Sequence, residues 1–303
     1  MKDDFKEEIS NKIREMFINQ VSQTEQLGPM MTVSQRAKFV NQPRGGYIKR
    51  TEFNEISLGA GEEELDENSN IHPILIGLSV DYLMRFMLTK KLKEAFFVSL
   101  FGANEIKKEK LAESLMKEIT GLDDKSITNA IKLTGFDVVV RYGKQGYVPI
   151  NRIKPNEASI KNVRIMVNRT INFSNIYGPI TSFGFDFTNA YTRTVIAGDG
   201  DFLTDDTLWD LKVSKNYFNK NHSLQILMYW RMGLRSNYKI FKKIKYLGIY
   251  NPRKNMVYRY NLKNLSDDII NIVDKEVIGY DKPLDQVIKK LYWVWKKFLA
   301  NKL

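Results

Sequence analysis

The chain has 303 residues, with 47 Lys and Arg against 35 Asp and Glu, and so carries a formal charge of +12. That excess points to an anionic partner, nucleic acid before any other. The absence of cysteine excludes disulfides, thiolate nucleophiles and thiolate-held zinc or iron–sulfur centres.

Hydrophobic content of 43% and charged content of 27% are those of an ordinary globular protein. No apolar run reaches the length of a membrane span. The opening Met1-Lys2-Asp3-Asp4 lacks the apolar core of a secretory signal. A cytoplasmic protein without membrane contact is therefore expected.

In chain order, Phe5, Ile9, Ile13, Phe17 and Ile18 predict an amphipathic helix over residues 2–20, packed on its own domain or on a partner. Gln20–Gln35 is polar and predicts a connector. In Gln42–Arg50, Arg44 and Lys49 flank Gly45 and Gly46, whose amides can meet a phosphate. The loop lacks the ending of a nucleotide P-loop, and a plain turn is the competing reading. Glu62–Asn68 is acidic, would repel nucleic acid, and is expected away from any binding groove.

His72-Pro73 opens a predicted helix to Thr89, with Ile76, Val80, Leu83 and Met87 as its buried stripe. Lys90–Leu100 continues helical. Ile106–Ile119 predicts a helix facing the core through Leu111, Leu115 and Ile119, and Asp123 starts another that runs to Leu133. Phe136–Tyr142, rich in valine, predicts a strand. A helix is expected over Ile160–Phe173, with Arg164 and Arg169 exposed, and a strand over Phe183–Phe187.

The next stretch carries chemistry. Asp201–Thr204 and Leu208–Val213 predict two strands joined at an Asp205-Asp206 turn. Alternation puts Asp210 and Lys212 on one face and Trp209, Leu211 and Val213 on the other. A hairpin returns Asp201 beside Asp210, whereas Asp199 points the other way and ranks below Asp201. Two such carboxylates are hard oxygen ligands for Mg²⁺ or Mn²⁺. A metal so held lowers the pKa of its water and polarises a phosphate. An acidic surface turn is the competing reading. His222–Gly233 then predicts a helix on which Gln225 and Tyr229, four apart, share a face.

Gly198-x-x-Asp201, Asp210-x-Lys212 and Gln225-x-x-x-Tyr229 stand in the order and spacing that resemble the PD-(D/E)xK nuclease superfamily, specifically its RecB-like and Cas4-like branch. The resemblance leaves most of the chain unmatched. It implies an α/β fold with a mixed central sheet flanked by helices, a restriction-endonuclease-like core. It also implies that Asp201 and Asp210 hold Mg²⁺ or Mn²⁺, that Lys212 positions the attacking water, and that Gln225 and Tyr229 orient the substrate or the lysine. A further ligand is implied from helices ahead of Asp201. His72, Asp81, Glu113 and Glu118 are the candidates. The cysteine-held cluster that many members carry is impossible here.

Between Asp210 and Asp267 no acidic residue occurs. That window holds Lys215, Arg231, Arg235, Lys242, Lys243, Lys245, Arg253 and Lys254, interleaved with tyrosines from Tyr217 to Tyr260. Cations with aromatics suit phosphate contact and base stacking, so these residues are expected to line a nucleic-acid groove. Tyr246–Tyr250 and Met256–Tyr260 predict a hairpin. Leu265–Val277 and Pro283–Leu299 predict helices, the last closing the domain or forming a homodimer or partner face.

The division expected is a helix-and-loop appendage at residues 1–70 and a nuclease-like core at 71–303. The function expected is metal-dependent hydrolysis of phosphodiester bonds, in DNA rather than RNA, with phage defence or DNA repair as the settings the resemblance implies. A non-catalytic nucleic-acid-binding module and a protein-interaction protein are the rival classes.

Overall fold

The computed structural model describes residues 30–59 and 63–281. The helices expected over residues 2–20 and 283–299, and the partner face assigned to them, lie outside the described residues.

Thr32 opens the first described helix with a capping box. Its hydroxyl accepts from the Gln35 amide at 3.2 Å, and Gln35 Oε1 accepts from the Thr32 amide at 2.9 Å. Strand β1 (Met31–Thr32) therefore turns directly into helix α1 (Val33–Phe39), where a polar connector was expected. Strand β2 (Asn54–Ser57) pairs antiparallel with a strand near the far end of the chain. Val33, Ala37, Ile48 and Phe53 share one buried cluster with the sheet. The described part of the expected 1–70 appendage is thus built into the core.

A helical layer follows: α2 (Pro73–Thr89), α3 (Leu92–Ala95), α4 (Phe97–Glu105), α5 (Glu109–Lys117), α6 (Asp124–Thr134), α7 (Asp137–Tyr142) and α8 (Glu157–Tyr177). Its own core includes Val80, Leu83, Phe96, Ile131, Phe136 and Met166. Two expectations fail here, the first only in part. Ile119 is buried and Leu115 packs against this core as expected, but Leu111 of α5 is exposed and Ala112 and Met116 are buried instead. The expected strand at residues 136–142 is helix α7. Tertiary context overrides the β preference of Val138–Val140. α4 approaches so closely at Gly102 that an added Cβ would lie 2.1 Å from the Phe136 carbonyl oxygen. Asp137, fully buried, accepts from Tyr82 Oη at 2.5 Å and from Ser99 Oγ.

The chain then forms β3 (Ser182–Phe185), β4 (Val195–Ala197), β5 (Gly200–Leu203), β6 (Thr207–Leu211), helix α9 (Lys220–Arg235), β7 (Tyr246–Asn251), β8 (Met256–Asn261) and α10 (Asp267–Ile272), which continues as a π-helical segment Val273–Ile278. The fold is mixed α/β with a six-stranded sheet in the order β2-β8-β7-β6-β5-β3, while β1 and β4 pair separately. Within the six-stranded sheet only β6 and β7 run parallel, because α9 carries the chain back between them; β1 and β4 are also parallel.

The sheet is covered on both faces. Leu208, Leu247, Ile249 and Tyr258 pack with Leu224 and Met228 of α9 and with Val33 of α1. Phe202, Trp209, Tyr250 and Val257 pack with Met84 of α2 and Phe173 of α8. The Trp209 indole donates to Thr204 Oγ1 at 3.0 Å, and its ring lies over Gly248 on the neighbouring strand. A Cβ at Gly248 would fall 2.2 Å from the ring. Gly248→Ala is therefore expected to destabilise the fold by roughly 1–3 kcal/mol through overpacking. Urea unfolding should show a lower midpoint with an unchanged slope. An unchanged midpoint refutes the rigid packing of Trp209.

Candidate active site

The hairpin brings the two motif aspartates together. Phe202 is registered opposite Trp209, so one step further Asp201 faces Asp210. The backbone there is bridged by a side chain: Asp201 Oδ2 accepts from the Leu211 amide at 2.6 Å. Alternation along β6 turns Asp210 and Lys212 toward α9 and Trp209 toward α8.

Asp210 is 1% exposed. The Lys212 ammonium donates to its Oδ1 at 3.0 Å. The same nitrogen stands 2.8 Å from Oδ2 but off the donor direction, so Oδ2 is a buried oxygen in an ion pair without a hydrogen bond. Lys212 also donates to Gln225 Oε1 at 3.3 Å. The Gln225 amide nitrogen donates to Tyr229 Oη at 2.9 Å and to Ser34 Oγ of α1 at 3.0 Å. Tyr229 stacks on Phe187 with centroids 5.0 Å apart. Gly198 permits this closeness, since a Cβ there would sit 2.6 Å from Val33 and 3.3 Å from the Tyr229 ring.

A field of charge surrounds the pair. Burial pushes the Asp210 carboxyl up to about 6; the Lys212 ammonium opposes the rise and the Asp201 carboxylate adds to it. Burial alone would lower Lys212, but Asp210 and Asp201 outweigh it and hold the ammonium above its usual range. Asp81 of α2 is clamped by Arg85 through two contacts of 2.8 Å. Burial raises Asp81 and also Asp199; Arg85 opposes the rise at Asp81, Arg141 opposes it at Asp199, and the Asp201 charge adds to both. Asp199, ranked below Asp201 from alternation alone, thus shares the same field. Arg141 of α7 stands 3.7 Å from buried Asp137 and is felt by both Asp81 and Asp199.

Among the described residues no group of three or more His, Asp or Glu is placed to hold a metal ion. His72 caps the N-terminus of α2, where its Nδ1 accepts from the Ile74 amide at 3.3 Å. That is nine residues, roughly 13 Å of helix, from Asp81. Glu113 is exposed on α5, which packs against α4 and α6, and Glu118 pairs with Lys125. The structure does not bring His72 or Glu113 to the aspartates. The remaining donors still suit Mg²⁺, which keeps several waters and takes one or two carboxylates plus substrate phosphates. The Asp201–Asp210 pair, whose Asp210 Oδ2 is ion-paired with Lys212 but accepts no hydrogen bond, offers two carboxylates of that kind.

The basic residues separate by place. Arg231 binds Asp274 through both oxygens at 2.9 and 2.7 Å, and Arg235 joins at 2.8 Å, so these two fasten α9 to the π-helical segment. Lys242, Lys243 and Lys245 precede β7, at the end of the sheet where β6 begins; the Lys245 amide donates to Asp206 O at 2.7 Å. Four strand residues, roughly 13 Å, separate that end from Asp210. Arg253 and Lys254 lie in the β7–β8 turn, at the aspartate end. Lys215 is also there but pairs with Glu67.

This last contact overturns the expected place of the acidic loop. Arg169 ties the Glu63 carbonyl to the β7–β8 turn by donating to Glu63 O, Pro252 O and Arg253 O. Cations left unbalanced after Asp210 draw this acid toward the site end. Sequence reasoning also missed Ser34, Arg85 and Arg141. The Thr32-x-x-Gln35 box signalled the helix that carries Ser34. The four-residue spacing of Asp81 and Arg85 signalled their pairing. Arg141 was hidden in the run misassigned as a strand.

No protein-family model, curated protein or solved structure matches the chain.

The raised Asp210 carboxyl gives a pH prediction. Its folded pKa of about 6 lies above its unfolded value near 4, so the folded state holds the proton longer. Wild-type stability is therefore lost as pH rises from about 4 to about 6, by at most roughly 3 kcal/mol. Asp210→Asn cannot ionise. In EDTA, its melting temperature relative to wild type should climb by several degrees across that window. A difference that stays flat with pH refutes the buried ionisation.

Proposed function

We propose that the chain is a Mg²⁺- or Mn²⁺-dependent nuclease of PD-(D/E)xK type, with a restriction-endonuclease-like core, that cuts DNA. The observation carrying this reading is the ion pair of buried Asp210 with half-buried Lys212, with Asp201 opposite and Gln225 and Tyr229 closing over it from α9. A divalent cation held by Asp201 and Asp210 would supply the Lewis acidity for phosphodiester hydrolysis.

The other roles fall to the chain itself. Asp210 must be ionised, which sets an acid limit on activity near its raised pKa. Lys212 rests on Asp210 and turns its ammonium to the scissile phosphate, where it balances charge that grows in the transition state. Gln225 offers Oε1 to Lys212 because Tyr229 and Ser34 take its amide nitrogen; this fixes the amide orientation and aims the lysine. Roles in phage defence or DNA repair fit the resemblance.

The lack of a third enclosing ligand among the described residues favours one rival, a nucleic-acid-binding module that keeps the carboxylates for structure. Incubating the wild type with end-labelled single-stranded and duplex DNA in Mn²⁺ or in EDTA separates the two. Cut products in Mn²⁺ alone support the nuclease. Retained DNA binding with no cleavage in Mg²⁺ or Mn²⁺ establishes the rival.

A further inference from the structure

After β6 the chain crosses the ends of the neighbouring strands before entering α9. Asn251 Nδ2 donates to Ser214 O at 2.8 Å. Phe218 packs edge-on against Phe53 and Tyr258, each with centroids 4.9 Å away. Tyr217, between these anchors, is left 54% exposed. Two cations from separate segments converge on its ring: the Arg50 guanidinium 4.2 Å from the centroid and the Lys254 ammonium 4.5 Å from it.

The local charge balance is incomplete. Arg50 meets Glu55 at 3.5 Å, yet its Nη1 is buried without a hydrogen bond. Lys254 has no acidic partner within ion-pair distance among the described residues. A ring face attracts a cation, but two like charges around one ring repel each other. An anion beside the ring would relieve that repulsion and take up the unused donors.

We infer that Tyr217, with Arg50 and Lys254, is a stacking platform for an unpaired nucleobase, the two cations taking the flanking phosphates. This deepens the nuclease reading and rests on it for the platform's purpose: Lys254 follows β7, and β8 lies two strands from β6, roughly 10 Å across the sheet from Lys212. A substrate strand entering the site from that side lays a base on Tyr217. Bases in a duplex are already stacked on one another, so the platform selects single-stranded nucleic acid. Base–aromatic stacking is tolerant of sequence, and the cations add salt-dependent affinity.

The test is equilibrium binding by fluorescence anisotropy in EDTA, with a labelled oligo(dT) and a labelled blunt duplex. Tyr217→Ala should weaken oligo(dT) binding by about 5- to 100-fold and duplex binding by no more than about twofold. Tyr217→Phe should bind oligo(dT) within about threefold of wild type, because the ring is kept. Lys254→Ala should lower the slope of log affinity against log salt by about one. Wild-type oligo(dT) affinity in Tyr217→Ala, equal losses on both probes, or a Phe variant as weak as the Ala variant would each overturn the platform. EDTA removes cleavage from the measurement, so this result stands whether or not the wild type cuts DNA in Mn²⁺.

Discussion

Lys212→Ala is expected to slow single-turnover cleavage by about 10²-fold or more while DNA affinity stays within a few-fold of wild type. Among the described residues the ammonium bonds only Asp210 and Gln225, so its removal strips no surface contact from the bound strand. The loss falls on the chemical step, where negative charge on the attacked phosphate is greatest. A second signature follows from electrostatics. Lys212 opposes the rise of the Asp210 carboxyl, so without it that carboxyl climbs further above about 6. The acid limb of the pH–rate profile should move to higher pH in the variant, and part of the lost rate should return on the alkaline side.

Lys215→Ala is the control. Lys215 has the same charge three residues on, but it is exposed and paired with Glu67 instead of with either aspartate. Its loss should cost about twofold or less, as surface pairs contribute little. The measurement is cleavage of labelled single-stranded and duplex DNA at saturating Mn²⁺. Equal losses in the two variants, or a Lys212 variant that loses binding instead of rate, would refute the assigned role.

Asp201→Asn combined with Asp210→Asn is expected to remove Mn²⁺ binding and to reduce cleavage to background. Asparagine keeps the volume and the acceptor for the Leu211 amide, so the hairpin register survives. It removes both charges that attract the cation and the acceptor strength of the unbonded Asp210 Oδ2. Lys212 is left beside neutral amides, and its own pKa should fall as burial goes unopposed by the two carboxylates. Calorimetry should show millimolar or tighter Mn²⁺ binding to wild type and none to the double variant. Added Mn²⁺ should raise the melting temperature of wild type alone, since only a ligand that prefers the folded state stabilises it. Equal heats for the two proteins would show that the ion sits elsewhere.

The local parts of the site were legible in the chain. A period of two put Asp210 and Lys212 on one face of β6, and a spacing of four put Gln225 and Tyr229 on one face of α9. Both patterns depend only on backbone geometry within a single element. What the tertiary structure alone decided was which charges meet and at which end of the sheet. The parallel pairing of β7 with β6 sends Lys242, Lys243 and Lys245 to the end away from Asp210. Asp274, distant in sequence, takes Arg231 and Arg235 out of the basic surface, and Glu67 comes across to Lys215.

The same division explains α7. Valines at 138–140 favour a strand locally, but a buried Asp137 needs the Tyr82 and Ser99 hydroxyls, which lie on two helices. Helix α1 likewise enters the site, bringing Ser34 to Gln225 across 191 residues of sequence. Periodicity in a sequence reports which side of an element is buried. It carries no record of the partner on that side, because the partner is chosen by chain topology and by the cost of leaving a buried charge or hydrogen-bonding group unmatched.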